Sequence, residues 1–236
     1  MPFSIASLRR TIVAACACSA SLAGAQGGGM GAMAGVGPRA SSNWELTAAA
    51  GSKLTTVSAG IVQSTRPLLD GHVRFGLGLR ATFGAGDLKL TPAGAKNVPA
   101  GVIDTLSLSA SAVMLNVSGH ASVLFTDRLE AGFNIDLAGV AAGSDRTASY
   151  RTSGAAPATS VTASPSSSNI FLYGSNDRGS LNSEFFAAWR ATERLTIRGG
   201  LSHQLIEYKA ARVLASNTDR FRQYSNLAFV GLRIGR

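Results

Sequence analysis

The chain has 236 residues, with 22 lysines and arginines against 13 aspartates and glutamates, a formal charge of +9 and two cysteines. Both cysteines, Cys16 and Cys18, fall in an N-terminal segment that reads as an export signal; the remainder then offers no disulfide framework, no thiolate nucleophile and no cysteine metal site. Nothing after that segment reaches the roughly 18 consecutive apolar residues of a helical membrane span, and export makes nucleic acid an unsuitable partner for the positive excess.

The signal reading rests on three features. Arg9-Arg10 forms a basic n-region, Thr11 to Leu22 is small and apolar, and Ala23-Gly24-Ala25 stands before Gln26 like a cleavage site. A second reading takes Val13-Ala14-Ala15-Cys16 as a lipoprotein box, with lipidation at Cys16. Cleavage after Ala25 removes Arg9 and Arg10 and no acid, so the charge falls by two to +7. Residues 26–42 are rich in glycine and alanine and read as a flexible lead-in. The folded domain is expected over residues 43–236.

Strand signals follow in order. Trp44 to Ala50 alternates, with Glu45 on the polar face. Leu54 to Arg66 is a weaker strand, with Val57, Ala59 and Ile61 on one face. His72 to Phe83 alternates clearly: Val73, Phe75, Leu77, Leu79, Ala81 and Phe83 face one way, and Arg74, Gly76, Gly78, Arg80 and Thr82 the other. Gly84 to Asp104 reads as a surface loop. The next strand opens on even parity at Leu106, Leu108, Ala110 and Ala112, then shifts to odd at Val113, Leu115 and Val117, so a bulge is expected near Ser111. Its polar face carries Asn116, Ser118, His120 and Ser122. Thr126-Asp127-Arg128 turns the chain. Leu129 to Ala138 returns with Leu129, Ala131, Phe133, Ile135 and Leu137 on one face and Glu130, Gly132, Asn134 and Asp136 on the other.

Ser144 to Gly179 reads as a long irregular stretch, rich in Ser, Thr, Ala and Pro, with one apolar island, Ile170-Phe171-Leu172-Tyr173. Leu181 to Arg190 places Leu181, Phe185, Ala187 and Trp189 outward and Asn182, Glu184 and Arg190 inward. Arg194 to Lys209 places Leu195, Ile197, Leu201 and Leu205 outward and Thr196, Arg198, Ser202 and Gln204 inward. Ala210 to Arg220 is a loop, and Tyr224 to Arg236 closes the chain with Ala228, Val230, Leu232 and Ile234 on one face.

These segments predict an all-β fold of eight antiparallel strands, or ten if the island pairs with another loop segment. Short connections follow the second, fourth and sixth strands, and long ones the third, fifth and seventh, with a short one after the first. A soluble sandwich also alternates. Fixed charge and amide in mid-strand point instead to a transmembrane up-and-down barrel with lipid outside and a polar lumen. An even strand count puts both termini on one side.

Three stretches resemble a known group. Gly132-Phe133-Asn134-Ile135-Asp136, Gly179-Ser180-Leu181-Asn182-Ser183-Glu184 and Asp219-Arg220-Phe221-Arg222 look like those of small outer-membrane barrels whose function is unassigned, within the OmpA/OmpX-like eight-stranded family. The chain ends Arg233-Ile234-Gly235-Arg236, where such barrels often end in phenylalanine. The resemblance implies an integral outer-membrane location with periplasmic termini and insertion by the barrel assembly machinery. It carries over no catalytic residue. In that setting the positive excess suits contact with outer-membrane lipid and lipopolysaccharide phosphates, or charges lining the lumen and rim.

The candidate site is an inward polar network of Glu45, Arg74, Arg80, His120, Glu130, Asn134, Asp136, Glu184, Arg190, Arg198 and Arg233. Buried ions must pair, and an eight-stranded barrel interior is just filled by side chains, so a plugged lumen with a structural or interaction role is expected. The alternative is a narrow polar path or binding site for small solutes. Ile170, Phe171, Leu172 and Tyr173 are the candidate contact for an extracellular ligand. No metal or cofactor is expected: His72, His120 and His203 lie on three strands. A third reading, a lipid-modifying enzyme, rests on His203, expected to face lipid with Glu207 on the same face. Position 205 is Leu205 where a serine would support it, Ser202 points inward, and no catalytic serine or zinc motif occurs.

Overall fold

The computed structural model describes residues 41–65, 68–69, 72–93, 104–152, 158–172 and 177–235. The expected signal, the cleavage and lipidation sites, Tyr173 and Arg236 lie outside these residues. The described chain contains eleven strands: β1 (Ser41–Ala50), β2 (Thr55–Ser64), β3 (Val73–Pro92), β4 (Asp104–Leu124), β5 (Leu129–Ala142), β6 (Arg146–Thr152), β7 (Thr159–Pro165), β8 (Ser168–Ile170), β9 (Leu181–Arg190), β10 (Leu195–Ala210) and β11 (Arg220–Gly235). All pairings are antiparallel and belong to one sheet.

Eight strands close on themselves. Each of β1 to β4 pairs with the next, β5 pairs with β9, β9 with β10, β10 with β11, and β11 with β1. The ring therefore satisfies its own backbone groups from strand to strand. Its two ends differ. The β2–β3, β4–β5 and β9–β10 turns leave from the same end as Ser41 and Gly235, while the longer connections leave from the other. Two of the turns repeat a pattern, Thr126-Asp127-Arg128-Leu129 and Thr192-Glu193-Arg194-Leu195. In each, the threonine Oγ1 accepts from the backbone N–H groups two and three residues on, at 3.2 and 3.0 Å in the first and 3.3 and 3.0 Å in the second. Hydroxyls of this kind satisfy turn donors that have no strand partner.

At the long-connection end the ring narrows. The β1–β2 hairpin stops early, and a Cβ at Gly86 would collide with the Lys53 carbonyl, so glycine lets this turn lie against β3. Above it β11 pairs directly with β3, Phe221 opposite Pro92. On the other side β4 passes from β5 to β6, β6 pairs with β7, and β7 with β10. A second ring of six strands results: β3, β4, β6, β7, β10 and β11. Its interior has a buried apolar core, with Leu90, Leu106, Ala148, Ala163, Tyr208 and Phe221 facing one another, and toward its far end the buried Asp104 accepts from Tyr150 at 2.9 Å and from Ser216 N–H at 2.7 Å.

This cap corrects several expectations. Gly84 to Asp104 is not all loop, because β3 runs on to Pro92. Ser144 to Gly179 is not irregular, because it holds β6, β7 and β8. Ile170 is a strand residue paired with Ala138 on β5, which does not extend the ring to ten strands. Pairing energy explains this: β4, β5 and β10 extend beyond their ring neighbours and leave edges that the Ser/Thr-rich segment completes.

The bulge expected near Ser111 is absent. The β3–β4 pairing runs unbroken from Val73–Val123 to Leu90–Leu106, and the even-numbered residues of β4 point inward throughout. What changes is the interior, polar around Asn116 and Ser118 and apolar from Met114 to Leu106. The register shift falls instead between β4 and β5, at Val117/Ser118. Ser111 is special for another reason. It lies where β4 has left β5 and not yet met β6. Tyr208 reaches across to it, its hydroxyl accepting from Ser111 N–H at 3.0 Å and donating to Ser111 C=O at 3.2 Å.

Replacing Tyr208 with phenylalanine strands both Ser111 groups in an apolar cap. Tyr208→Phe is expected to lower stability by about 1–3 kcal/mol, measured by urea unfolding, and to expose the cap to protease before the eight-strand ring opens.

Candidate functional site

The eight-strand ring is filled from the short-turn end by ions. Period-2 alternation turns Glu45, Arg74, Arg80, Glu130, Asp136, Glu184, Arg198 and Arg233 inward from β1, β3, β5, β9, β10 and β11. Four guanidiniums meet four carboxylates. Arg198 is 1 % exposed and lies between Glu45 Oε2 at 2.5 Å and Glu184 Oε2 at 3.3 Å. Its guanidinium sits over the Phe186 ring, 4.2 Å from the centroid, a face that carries negative potential. Arg233 joins Glu45 at 2.8 Å to Glu130 at 3.0 Å. Arg80 joins Asp136 at 2.5 Å to Glu184 at 3.0 Å. Arg74 lies 3.6 Å from Glu130.

Amides complete the shells of these ions. Asn134 Oδ1 accepts from Arg80 at 3.0 Å, and its Nδ2 donates to Glu184 at 2.8 Å. Asp136 Oδ2 accepts from Asn116 Nδ2 at 2.7 Å and from the Asn182 backbone N–H at 3.0 Å. Asn182 donates to Glu184 at 3.1 Å and accepts from Ser202 at 2.7 Å. Asn169 of β8 reaches in to Asn116 at 2.8 Å. His120 Nε2 lies 3.0 Å from Ser118 Oγ. Ten of the eleven expected residues thus share one interior. Arg190 is the exception. It sits at the short-turn end, lines a pocket there with Arg74 and Glu130, and makes no ion pair among the described residues.

No protein-family model matches the chain, and no curated protein sequence matches it. Solved structures resemble it weakly. A major outer membrane protein from Thermus thermophilus is 13% identical over 83% of this chain and 99% of that one, with a TM-score of 0.37. The toluene transporter TbuX of Ralstonia pickettii is 10% identical over 77% of this chain and 67% of that one, with a TM-score of 0.27. The toluene transporter TodX of P. putida is 8% identical over 86% of this chain and 90% of that one, with a TM-score of 0.24.

The outer face of β10 holds His203 as expected. Its Nδ1 lies 2.7 Å from Asn226 Oδ1, and its ring stacks on Tyr224 at 5.4 Å. Ser183 stands opposite on β9, but no hydrogen bond joins it to His203, so no serine–histidine pair is assembled. Glu207 does not share that exposed face. It is fully buried, because Ser166, just ahead of β8, and Arg220 of β11 close over it: Ser166 Oγ donates to it at 2.7 Å, and Arg220 pairs with it at 2.6 Å. Leu181 and Leu205, outward by parity, are buried at the same corner. Among the described residues no three His, Cys, Asp or Glu side chains gather to hold a metal.

The missed residues are Asn116, Asn182, Phe186 and the Glu207–Arg220 pair. Asn116 and Asn182 carried a signal, since each occupies the inward parity of its strand. Phe186 shows inward parity too, hidden beside Phe185.

Removing one member of a buried network leaves the others uncompensated. Arg198→Met is expected to cost about 3–5 kcal/mol, and the triple variant Glu45→Gln, Glu184→Gln, Arg198→Met to recover part of that loss. Urea unfolding of the folded species checks both.

Proposed function

We propose that the eight-strand ring is a transmembrane β-barrel of the outer membrane, sealed inside, which anchors a rigid β cap at the cell surface in a structural or interaction role. One observation carries this reading: the molecule is inside out. Leu77, Phe185, Leu201 and Val230 are 62–68 % exposed on the outer wall, while Arg80, Arg198, Asp136 and Glu184 are buried within. Each large apolar side chain left in water forgoes about 1.5–3 kcal/mol. Many more share that wall, among them Leu46, Val57, Phe75, Val117, Ile197 and Leu232. In a soluble sandwich this pattern is unfavourable on both faces. In lipid it is the expected order, apolar outward and polar inward in a closed ring.

Sealing follows from the stacked interiors. Ions fill the eight-strand ring, and Met114, Tyr208, Phe221 and their neighbours fill the six-strand ring above it. Water crossing the ring would have to break paired ions and then enter an apolar core. The short-turn end, with Ser41 and Gly235, faces the periplasm, and the cap faces outward, where Leu172 beside β8 and Val213 of the 211–219 connection are exposed to a partner. The transport alternative requires a continuous polar path, and the apolar cap supplies none among the described residues.

Two experiments test this. Leu201→Arg places a charge on the outer wall. It is expected to destabilise the refolded protein in lipid vesicles by about 2–4 kcal/mol, whereas a water-exposed leucine would tolerate the change. In planar bilayers the reconstituted protein should show no stable unitary conductance; a reproducible conductance with fixed ion preference contradicts the sealed lumen.

A further inference from the structure

In the eight-strand ring the four-on-four pairing leaves one inward cation over among the described residues. Arg190 has the inward parity of β9 and lies one position beyond the network, at the short-turn end. There the ring opens into a pocket of about 230 Å³. Two arginines of the interior, Arg74 and Arg233, face this pocket together with Arg190. The two repeated turns add Arg128 and Arg194 at its rim. The carboxylates on the same wall are Glu130, Asp127 and Glu193. Five guanidiniums thus face three carboxylates.

The inner carboxylate is already committed. Both oxygens of Glu130 accept from Arg233 Nη1, at 3.0 and 3.1 Å. Arg74 lies 3.6 Å from Glu130, and Arg190 has no ion pair among the described residues. Two guanidiniums with open donors therefore point into one cavity. Nothing in the fold of the ring requires this, since β9 could end on a neutral residue. The planar fork of a guanidinium matches two oxygens of one anion.

We propose that this vestibule binds a small oxyanion of the phosphate or carboxylate class, held by Arg74 and Arg190 and admitted past Arg128 and Arg194. The site stands on the geometry of the ring; only its periplasmic address rests on the membrane reading above. Free phosphate and a dicarboxylate present the same oxygen geometry with different charge density, so the two serve as separate probes. The mouth carries the repeated acidic–basic turns, so Asp127 and Glu193 compete with the anion for the rim arginines.

Isothermal titration of the full mature chain, folded in a zwitterionic detergent at low salt, tests the proposal with inorganic phosphate in one arm and succinate in the other. Saturable binding in at least one arm is expected, and the arm that saturates assigns the class. Arg190→Gln should weaken it at least tenfold, and Glu193→Gln should strengthen it severalfold by removing a competing carboxylate. Arg190 takes part in no ion pair among the described residues, so its variant should fold, which a heat-dependent shift of its band on a denaturing gel verifies in the same sample. Absence of saturable binding in both arms overturns the proposal, as does Arg190→Gln binding as tightly as the parent chain. A folded protein that fails to bind refutes the vestibule alone, and a chain that fails to fold in detergent refutes the membrane reading instead.

Discussion

Everything in this molecule depends on the pairing of four arginines with four carboxylates inside a ring that leaves little room for water. Desolvating a guanidinium or a carboxylate costs several kcal/mol even after relaxation. The interior bears this only because each ion touches at least one opposite charge, and because amides from Asn116, Asn134 and Asn182 take up remaining donors and acceptors. Arg198 and Glu184 link two halves of the network, so β1, β3, β9 and β10 are tied through side chains as well as through the ladder. Such a network specifies register. A slip of one residue would turn every charge on a strand outward.

The two stacked interiors follow from strand length. Where eight strands close, the enclosed space is wide enough for arginine chains to meet in the middle. Where β1, β2, β5 and β9 end and six strands close, the space narrows and small or flat apolar residues fill it, as Ala148, Ala163, Leu106 and Phe221 do. Each change of partner strands some backbone groups, and specific side chains meet them: Tyr208 at Ser111, and Gln204 Nε2 at the Leu181 carbonyl, 3.1 Å away, where β9 begins. At the corner of the cap, burial of Glu207 is offset by Arg220. The hydrogen bonds to that carboxylate hold the Arg220 guanidinium above its ordinary value, against the opposing effect of burial. The described cap therefore behaves as a packed β structure in its own right, and the 211–219 connection is tied to it, Ser216 N–H donating to Asp104 at 2.7 Å.

Much of this was legible in the alternation of single strands. The inward placement of Glu45, Arg80, Asp136, Glu184 and Arg198 needs only period 2, and so does the outward placement of Phe75, Leu201 and Val230. The partners were not legible, because which ions meet depends on ring order and stagger. Arg190 shows the limit. It has the right parity and lies one step too far along its strand. The cap was hidden for a different reason. β6, β7 and β8 are short and poor in large apolar residues, and they form because β4, β5 and β10 offer edges, a cause remote in sequence. The parity change in β4 was a true signal with two explanations, a bulge or a change of interior, and local pattern does not separate them. Glu207 had the expected parity, but a distant segment covers it.

The central claim is that the outer wall meets lipid, and the chain carries its own probes. Its two tryptophans, Trp44 and Trp189, both lie on the outer face near the short-turn end, 42 and 49 % exposed. Their fluorescence should be recorded in vesicles of lipids brominated at successive depths. With the wall in lipid, bromine quenches both, most strongly from positions near the headgroups, and aqueous acrylamide has little effect. Free quenching of both tryptophans by acrylamide, with none by brominated lipid, would contradict it and place the apolar wall against protein or water instead.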